Sequence, residues 1–312
     1  MKVPPFLPLL LRRPCLCCTR LSSALLKATA LELVVLAGHV LLYPTGIAGE
    51  RRRPPQHPAE PTTAPPTAPA GTSALPAEGS ERPPVVLLHG FIDNRSVFVL
   101  LRRSLARHGW RHLESLNYSP LTCDIRTAAE LLGRHVEEIC ARTGHHQVDI
   151  VGHSLGGLIA RYYVQRLGGD QRVRTLVTLG TPHGGTAVAP LASAHPIVRQ
   201  MRTGSAPIEE LRRPAPGCRT RFVSFWSELD RVIVPAEAAC VDHPDLDALN
   251  VRVSGIGHLA LPVHPTVAAA VRQALESRES VIEATGTAGA AETPGAARAA
   301  GAAGTPGAAS VA

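Results

Sequence analysis

From position 85 onward, short apolar runs alternate with stretches whose apolar residues recur every three or four positions. The short runs predict strands at 85–88, 113–118, 148–151, 173–179, 221–225 and 251–254. The helical spacing predicts helices at about 96–108, 124–143, 155–167 and 266–277. The second of these opens on Asp124, a good capping residue, and carries Ile125, Ala128, Leu131, Leu132, Val136 and Ile139 on one face. Strands that take turns with helices imply βαβ units. The expected class is therefore α/β, with about six mostly parallel strands and helices on both faces, over residues 85–276.

Outside that region the pattern changes. A basic segment, 1–20, precedes a run at 21–49 that is apolar apart from Lys27, Glu32 and His39. Its uncharged part, 33–49, is 17 residues, the lower limit for crossing a bilayer. Arg12, Arg13 and Arg20 lie before it and Arg51, Arg52 and Arg53 after it, so the charges set no orientation. Three readings stand: an uncleaved signal-anchor, a long signal peptide, or an amphipathic helix on a membrane surface. All three imply export or membrane attachment, at the cell envelope or as a secreted protein. Residues 50–84 are dense in Pro, Ala and Thr, and 277–312 are mostly Ala, Gly, Thr and Pro. Both are expected to be disordered, the first as a spacer and the second as a tail.

Charge and cysteine content narrow the class further. The net charge is +7, but the domain's arginines are scattered rather than striped, so no nucleic-acid partner is expected. Cys15, Cys17 and Cys18 lack a second pair at zinc-site spacing. Cys123 and Cys140 bracket a helix that would hold them roughly 24 Å apart at ~1.5 Å per residue, too far to bridge. Cys218 and Cys240 remain as disulfide candidates, or as two buried thiols. Asp242, Asp245 and Asp247 read as a solvated loop, with a calcium site weakly supported. No G-x-G-x-x-G follows a strand. No metal and no cofactor are expected.

Residues 148–157, VDIVGHSLGG, join an apolar strand to a helix through G-x-S-x-G. That context makes Ser154 the candidate nucleophile on a sharp, strained turn. A serine hydroxyl needs a base, and the base needs a carboxylate to orient it. Asp230 lies just past the strand that opens RFVSFWSELDRVIVP, followed by the apolar Val232–Val234; Glu228 is the rival acid. His258 follows the last predicted strand in GIGH, with His264 as the fallback. His89 and His183 belong to other loops, and His153 is the x of the elbow. Charge developing on a substrate oxygen needs fixed donors. The backbone N–H of Leu155, at a helix N-terminus, is one; that of Phe91, in VVLLHGF, is the other.

Together HGF, GHSLGG at 152–157, GTPHGGT at 180–186, SELDRVIVP at 227–235 and GIGH at 255–258 resemble the bacterial secreted lipase and esterase branch of the α/β-hydrolases. The resemblance covers roughly 84–277 and implies an α/β-hydrolase fold lacking the first two antiparallel strands of longer members. It implies ester hydrolysis through an acyl-serine intermediate, on a lipid or small acyl-ester substrate. Relatives place a lid where this chain has 184–214, an insert containing Val188, Leu191, Ile197, Val198, Met201, Ile208 and Leu211. The alternative for the insert is plain scaffold. Thioesterase, amidase and phospholipid acyl hydrolase activities share the same triad. A non-catalytic, membrane-tethered binding protein is the remote alternative. Oligomeric state is not legible.

Overall fold

The computed structural model describes residues 16–47, 82–91, 93–118, 124–187 and 195–276. The expected linker and tail, and Cys15 and Cys123, lie largely or wholly outside the described residues. The helix α1 (Leu16–Ile47) comes first. The α/β domain then runs β1 (Val85–Leu88), α2 (Val99–Arg107), β2 (Leu113–Leu116), α3 (Ile125–Thr143), β3 (Val148–His153), α4 (Leu155–Arg166), β4 (Val173–Leu179), α5 (Pro196–Gln200), α6 (Ala206–Arg212), β5 (Arg221–Trp226), β6 (Asp247–Arg252) and α7 (Pro265–Glu276).

All six strands are parallel, in the order β2-β1-β3-β4-β5-β6. β1 and β3 are buried at every position, because helices cover both faces of the sheet. The pleat divides the side chains. Val86, Leu88, Ile150, Leu176 and Phe222 join the core under α3, α4 and α6. Val85, Leu87, Val151, Val177, Val223 and Phe225 join the core under α2 and α7. α3 begins where its cap predicts: Asp124 accepts a hydrogen bond from the Thr127 N–H at 2.8 Å.

Element boundaries match the periodicity closely, except at the far edge. The last strand is Asp247–Arg252 rather than 251–254, and most of its residues are exposed or half-exposed. An edge strand has one neighbour and less burial, so its apolar pattern is weak. Two other expectations change. Cys218 and Cys240 are free thiols, not a disulfide. Cys240 adjoins Ala239, whose carbonyl accepts from Ser224 Oγ midway along β5, whereas Cys218 precedes that strand. At about 3.3 Å per strand residue the two lie well beyond the ~7 Å a bridge allows. In the insert, residues 188–194 lie outside the described residues. The remainder packs on the main core, with Ile197 and Ile208 fully buried.

Candidate active site

Loops at the carboxyl ends of β1, β3, β4, β5 and β6 converge on one edge of the sheet, where open parallel sheets carry their ligand sites. β3 delivers Ser154. Its backbone has φ 52° and ψ −120°, the one positive φ at a non-glycine among the described residues. A side chain held in that region is strained by about 1–3 kcal/mol and persists only where its surroundings enforce it. Here the Ser154 N–H donates to the Leu179 carbonyl at 2.9 Å, and Thr181 Oγ1 donates to the Ser154 carbonyl at 3.0 Å. Gly156 lets α4 pass against β1: a Cβ there would strike the carbonyl oxygens of Leu88 and His89. Leu155, the first residue of α4, directly follows Ser154 and is fully buried in the core.

β5 leads to the candidate acid. Asp230 Oδ2 lies 2.7 Å from His258 Nδ1, and Asp230 Oδ1 accepts from the N–H groups of Val232 and Ile233 at 2.8 and 2.9 Å. The apolar run after the acid thus serves it mainly through backbone amides; Val232 and Val234 remain about two-fifths exposed. Glu228 instead pairs with Arg252 toward solvent. Asp230 and His258 are both nearly sealed from water. Burial alone lowers the His258 pKa, but the Asp230 charge and hydrogen bond outweigh it, with Glu32 and Asp93 adding to the rise. Because the carboxylate only accepts, Nδ1 carries the hydrogen and Nε2 is left as the acceptor.

The other histidines have different work. His264 Nδ1 accepts from the Thr266 N–H at the start of α7. His183 is buried against Thr178, 2.9 Å from its hydroxyl. His89 stacks on Tyr118 with ring centroids 4.5 Å apart, and the Tyr118 hydroxyl donates to the His89 carbonyl. That contact fixes the loop carrying Phe91. Asp245 accepts from the Ala215 N–H at 2.7 Å, a structural use of the acidic loop. Among the described residues no group of three or more His, Cys, Asp or Glu is arranged to hold a metal ion.

One cavity, of about 170 Å³, gathers Phe91, Ser154 and His258. Pro182, Val198, Met201, Val232, Ile233 and Leu259 give it an apolar wall. Val198 and Met201 come from the insert. Two polar groups in the same wall are not marked by any motif spacing: Asp93 and His153. Their carboxylate and ring lie 3.2 Å apart, and His153 Nε2 donates to the His258 carbonyl at 3.3 Å. Burial pushes the Asp93 carboxyl up, but His153 beside it holds the pKa below the usual carboxylate value. His153 is simply the x of G-x-S-x-G in sequence; only the fold turns it toward the base's loop.

Such a site offers a hydroxyl on a strained turn, an oriented imidazole and an apolar wall. The fold that holds it is the α/β-hydrolase fold. A family model described as alpha/beta hydrolase fold matches residues 83–206. A triacylglycerol lipase of Burkholderia plantarii is 30% identical over 129 residues, covering 38% of this chain and 36% of that protein. One from Vibrio cholerae is 34% identical over 131 residues, 39% and 41% of the two chains. The matched stretch is thus little more than a third of those relatives' length. In structure, the mature form of a Bacillus licheniformis lipase aligns with TM-score 0.54 at 17% identity, over 63% of this chain and 93% of that one. Aspergillus fumigatus lipase B aligns with TM-score 0.56 at 17% identity, over 62% and 52%.

Proposed function

We propose that this protein is a serine carboxylic-ester hydrolase acting on lipid esters, with 85–276 as its catalytic domain. The observation that carries the reading is the 2.7 Å His258–Asp230 pair, whose imidazole lines the same cavity as a strained Ser154. Ser154 Oγ attacks the ester carbonyl while His258 Nε2 takes its proton. Asp230 stabilises the imidazolium and keeps the ring in the tautomer that can accept. The N–H groups of Leu155 and Phe91 receive the oxyanion. Collapse breaks the ester C–O bond, and His258 returns its proton to the departing alcohol. Water, deprotonated by His258, then attacks the acyl-serine, releasing the acid and restoring Ser154.

The substrate class rests on the wall. Val198, Met201, Ile233 and Leu259 present apolar surface beside the nucleophile, which suits an acyl chain. The insert at 184–214 contributes two of these residues and is the segment proposed to cover the chain. The protein acts at the cell envelope or outside the cell, carried there by its N-terminal apolar helix.

Labelling with a fluorophosphonate probe tests the chemistry. Wild type is expected to react and Ser154→Ala not to; undiminished labelling of Ser154→Ala overturns the proposal. Activity confined to short soluble esters, with no rise above the lipid solubility limit, overturns the acyl-chain assignment.

A further inference from the structure

α1 is apolar on the wrong side for a helix of a water-soluble protein. Leu25, Ala28, Leu31, Glu32, Val35 and His39 face the domain. The opposite face exposes Leu26, Leu33, Val34 and Leu41 at 62–79% of their surface. Among the described side chains, the one charged residue on that face is Lys27. A helix docked on a soluble domain normally shows the reverse, with its polar side turned to water.

The polar residues on its domain-facing side explain the docking. Glu32 and His39 are seven residues apart, two turns, and so share a face. Glu32 accepts from the N–H groups of Leu259 and Ala260 at 3.0 and 2.9 Å, the two residues directly after His258. His39 Nδ1 lies 3.6 Å from Asp93, which in turn meets His153, the donor to the His258 carbonyl. Near the helix end the Tyr43 carbonyl accepts from Asn94 Nδ2 at 2.8 Å. A cavity of about 370 Å³ between α1 and the rim shares Asp93 and Leu259 with the site cavity. Of these three polar links from α1, that of Glu32 ends directly on the turn that carries the candidate base, and that of His39 reaches it through Asp93 and His153.

We propose that α1 is an interfacial helix: it lies along an anionic phospholipid surface, its apolar face in the bilayer and Glu32 and His39 turned to the catalytic domain. Membrane binding then seats the site mouth on the lipid and orders the His258 turn in one event. Charge favours this occupant. In sequence, three arginines precede the apolar run and three follow it, with Lys27 on the outward face, matching anionic headgroups. The carboxylate of Glu32 faces away from them. This deepens the ester-hydrolase reading and rests on it for the substrate.

The test uses the full chain and vesicles of phosphatidylcholine with or without phosphatidylglycerol. Flotation is expected to show binding at least ten-fold stronger to the anionic vesicles, and the double variant Leu33→Lys/Leu41→Lys is expected to lose it while keeping turnover of a soluble short ester. Equal flotation of that variant overturns the proposal. Tryptophans placed singly at Leu33 and Leu41, read by lipids brominated at known depths against a background of Trp110 and Trp226, separate lying from spanning. Lying predicts equal depths; a difference near 12 Å, eight residues of helix at ~1.5 Å each, overturns the proposal. Glu32→Gln is expected to float normally but to lose about ten-fold in kcat, with KM held, and to shift the acid limb of the rate profile to lower pH. An unchanged limb and kcat overturn the link to His258. A natural N-terminus beyond residue 47 on protein recovered from its own cells overturns the whole. Flotation and depth need no turnover, so an inactive wild type counts against the ester-hydrolase reading alone.

Discussion

Replacing Asp230 by Asn separates orientation from packing at the site. The Asn oxygen can still accept from the Val232 and Ile233 N–H groups, which Asp230 Oδ1 now binds at 2.8 and 2.9 Å. The loop should therefore stay folded. Its amide nitrogen then points at His258 Nδ1 in place of Oδ2, at 2.7 Å. Two donors cannot face each other, so the imidazole must move its hydrogen to Nε2 and lose the ability to accept from Ser154. The same exchange in a serine-protease triad, where the imidazole is likewise held in the wrong tautomer, lowers kcat about 10⁴-fold. At 1.36 kcal/mol per decade that is roughly 5 kcal/mol of transition-state stabilisation. A second effect carries a sign. Asp230 is what raises the His258 pKa against burial, so its loss moves that pKa down. Wild-type activity should climb as pH passes upward through a value above the ordinary histidine pKa, where His258 sheds its proton; the residual activity of Asp230→Asn should climb at lower pH. Turnover of a p-nitrophenyl ester from pH 4 to 9, with thermal unfolding as a check on folding, measures both. A kcat within ten-fold of wild type, or a larger loss in Glu228→Gln, would refute the assignment of Asp230.

Four further outcomes are expected. Gly180 has φ +54°, and a Cβ there would sit 3.0 Å from His258 Nδ1 and 3.1 Å from Asp230 Oδ2; Gly180→Ala should lower kcat at least ten-fold while labelling by a fluorophosphonate slows in step. Ser154→Gly should abolish activity yet raise stability by about 1 kcal/mol in urea titration, by relieving the positive φ at a side-chain-bearing residue. Arg174 grips the fully buried Asp149 through two hydrogen bonds, at 3.0 and 2.6 Å; Arg174→Met should cost about 3–5 kcal/mol by stranding that charge. Its partner variant Asp149→Asn/Arg174→Met should regain part of the loss, and both are read by urea denaturation. His153→Ala removes the donor to the His258 carbonyl and should lower kcat several-fold with little change in KM, whereas a purely structural role predicts loss of melting temperature with kcat intact.

Much of this molecule is legible from pattern alone. Buried parallel strands must be apolar on both faces and their covering helices on one, so β1, β3, β4, α3 and α4 are written in periods of residues close to one another. The elbow is written the same way: glycines flank a serine because strand and helix approach there. The order of acid and base is also readable, since loops at the carboxyl ends of successive strands share one edge.

Other features depend on residues far apart in the chain. Nothing local distinguishes Glu32 from an unwelcome charge in an apolar run; its partners are the amides of Leu259 and Ala260, more than two hundred residues away. His153 and Asp93 meet only when β1 and β3 lie side by side. Cys218 and Cys240 look pairable by neighbourhood, and the strand between them keeps them apart. Periodicity misplaces the edge strand β6 because a half-exposed strand has no burial to impose a pattern. Sequence alone determined the periods, the turns and the choice of candidate side chains, since those follow from each residue's own backbone and polarity. Tertiary structure alone decided which distant polar groups face each other, because a hydrogen bond or ion pair across the sheet leaves no trace in either partner's neighbours.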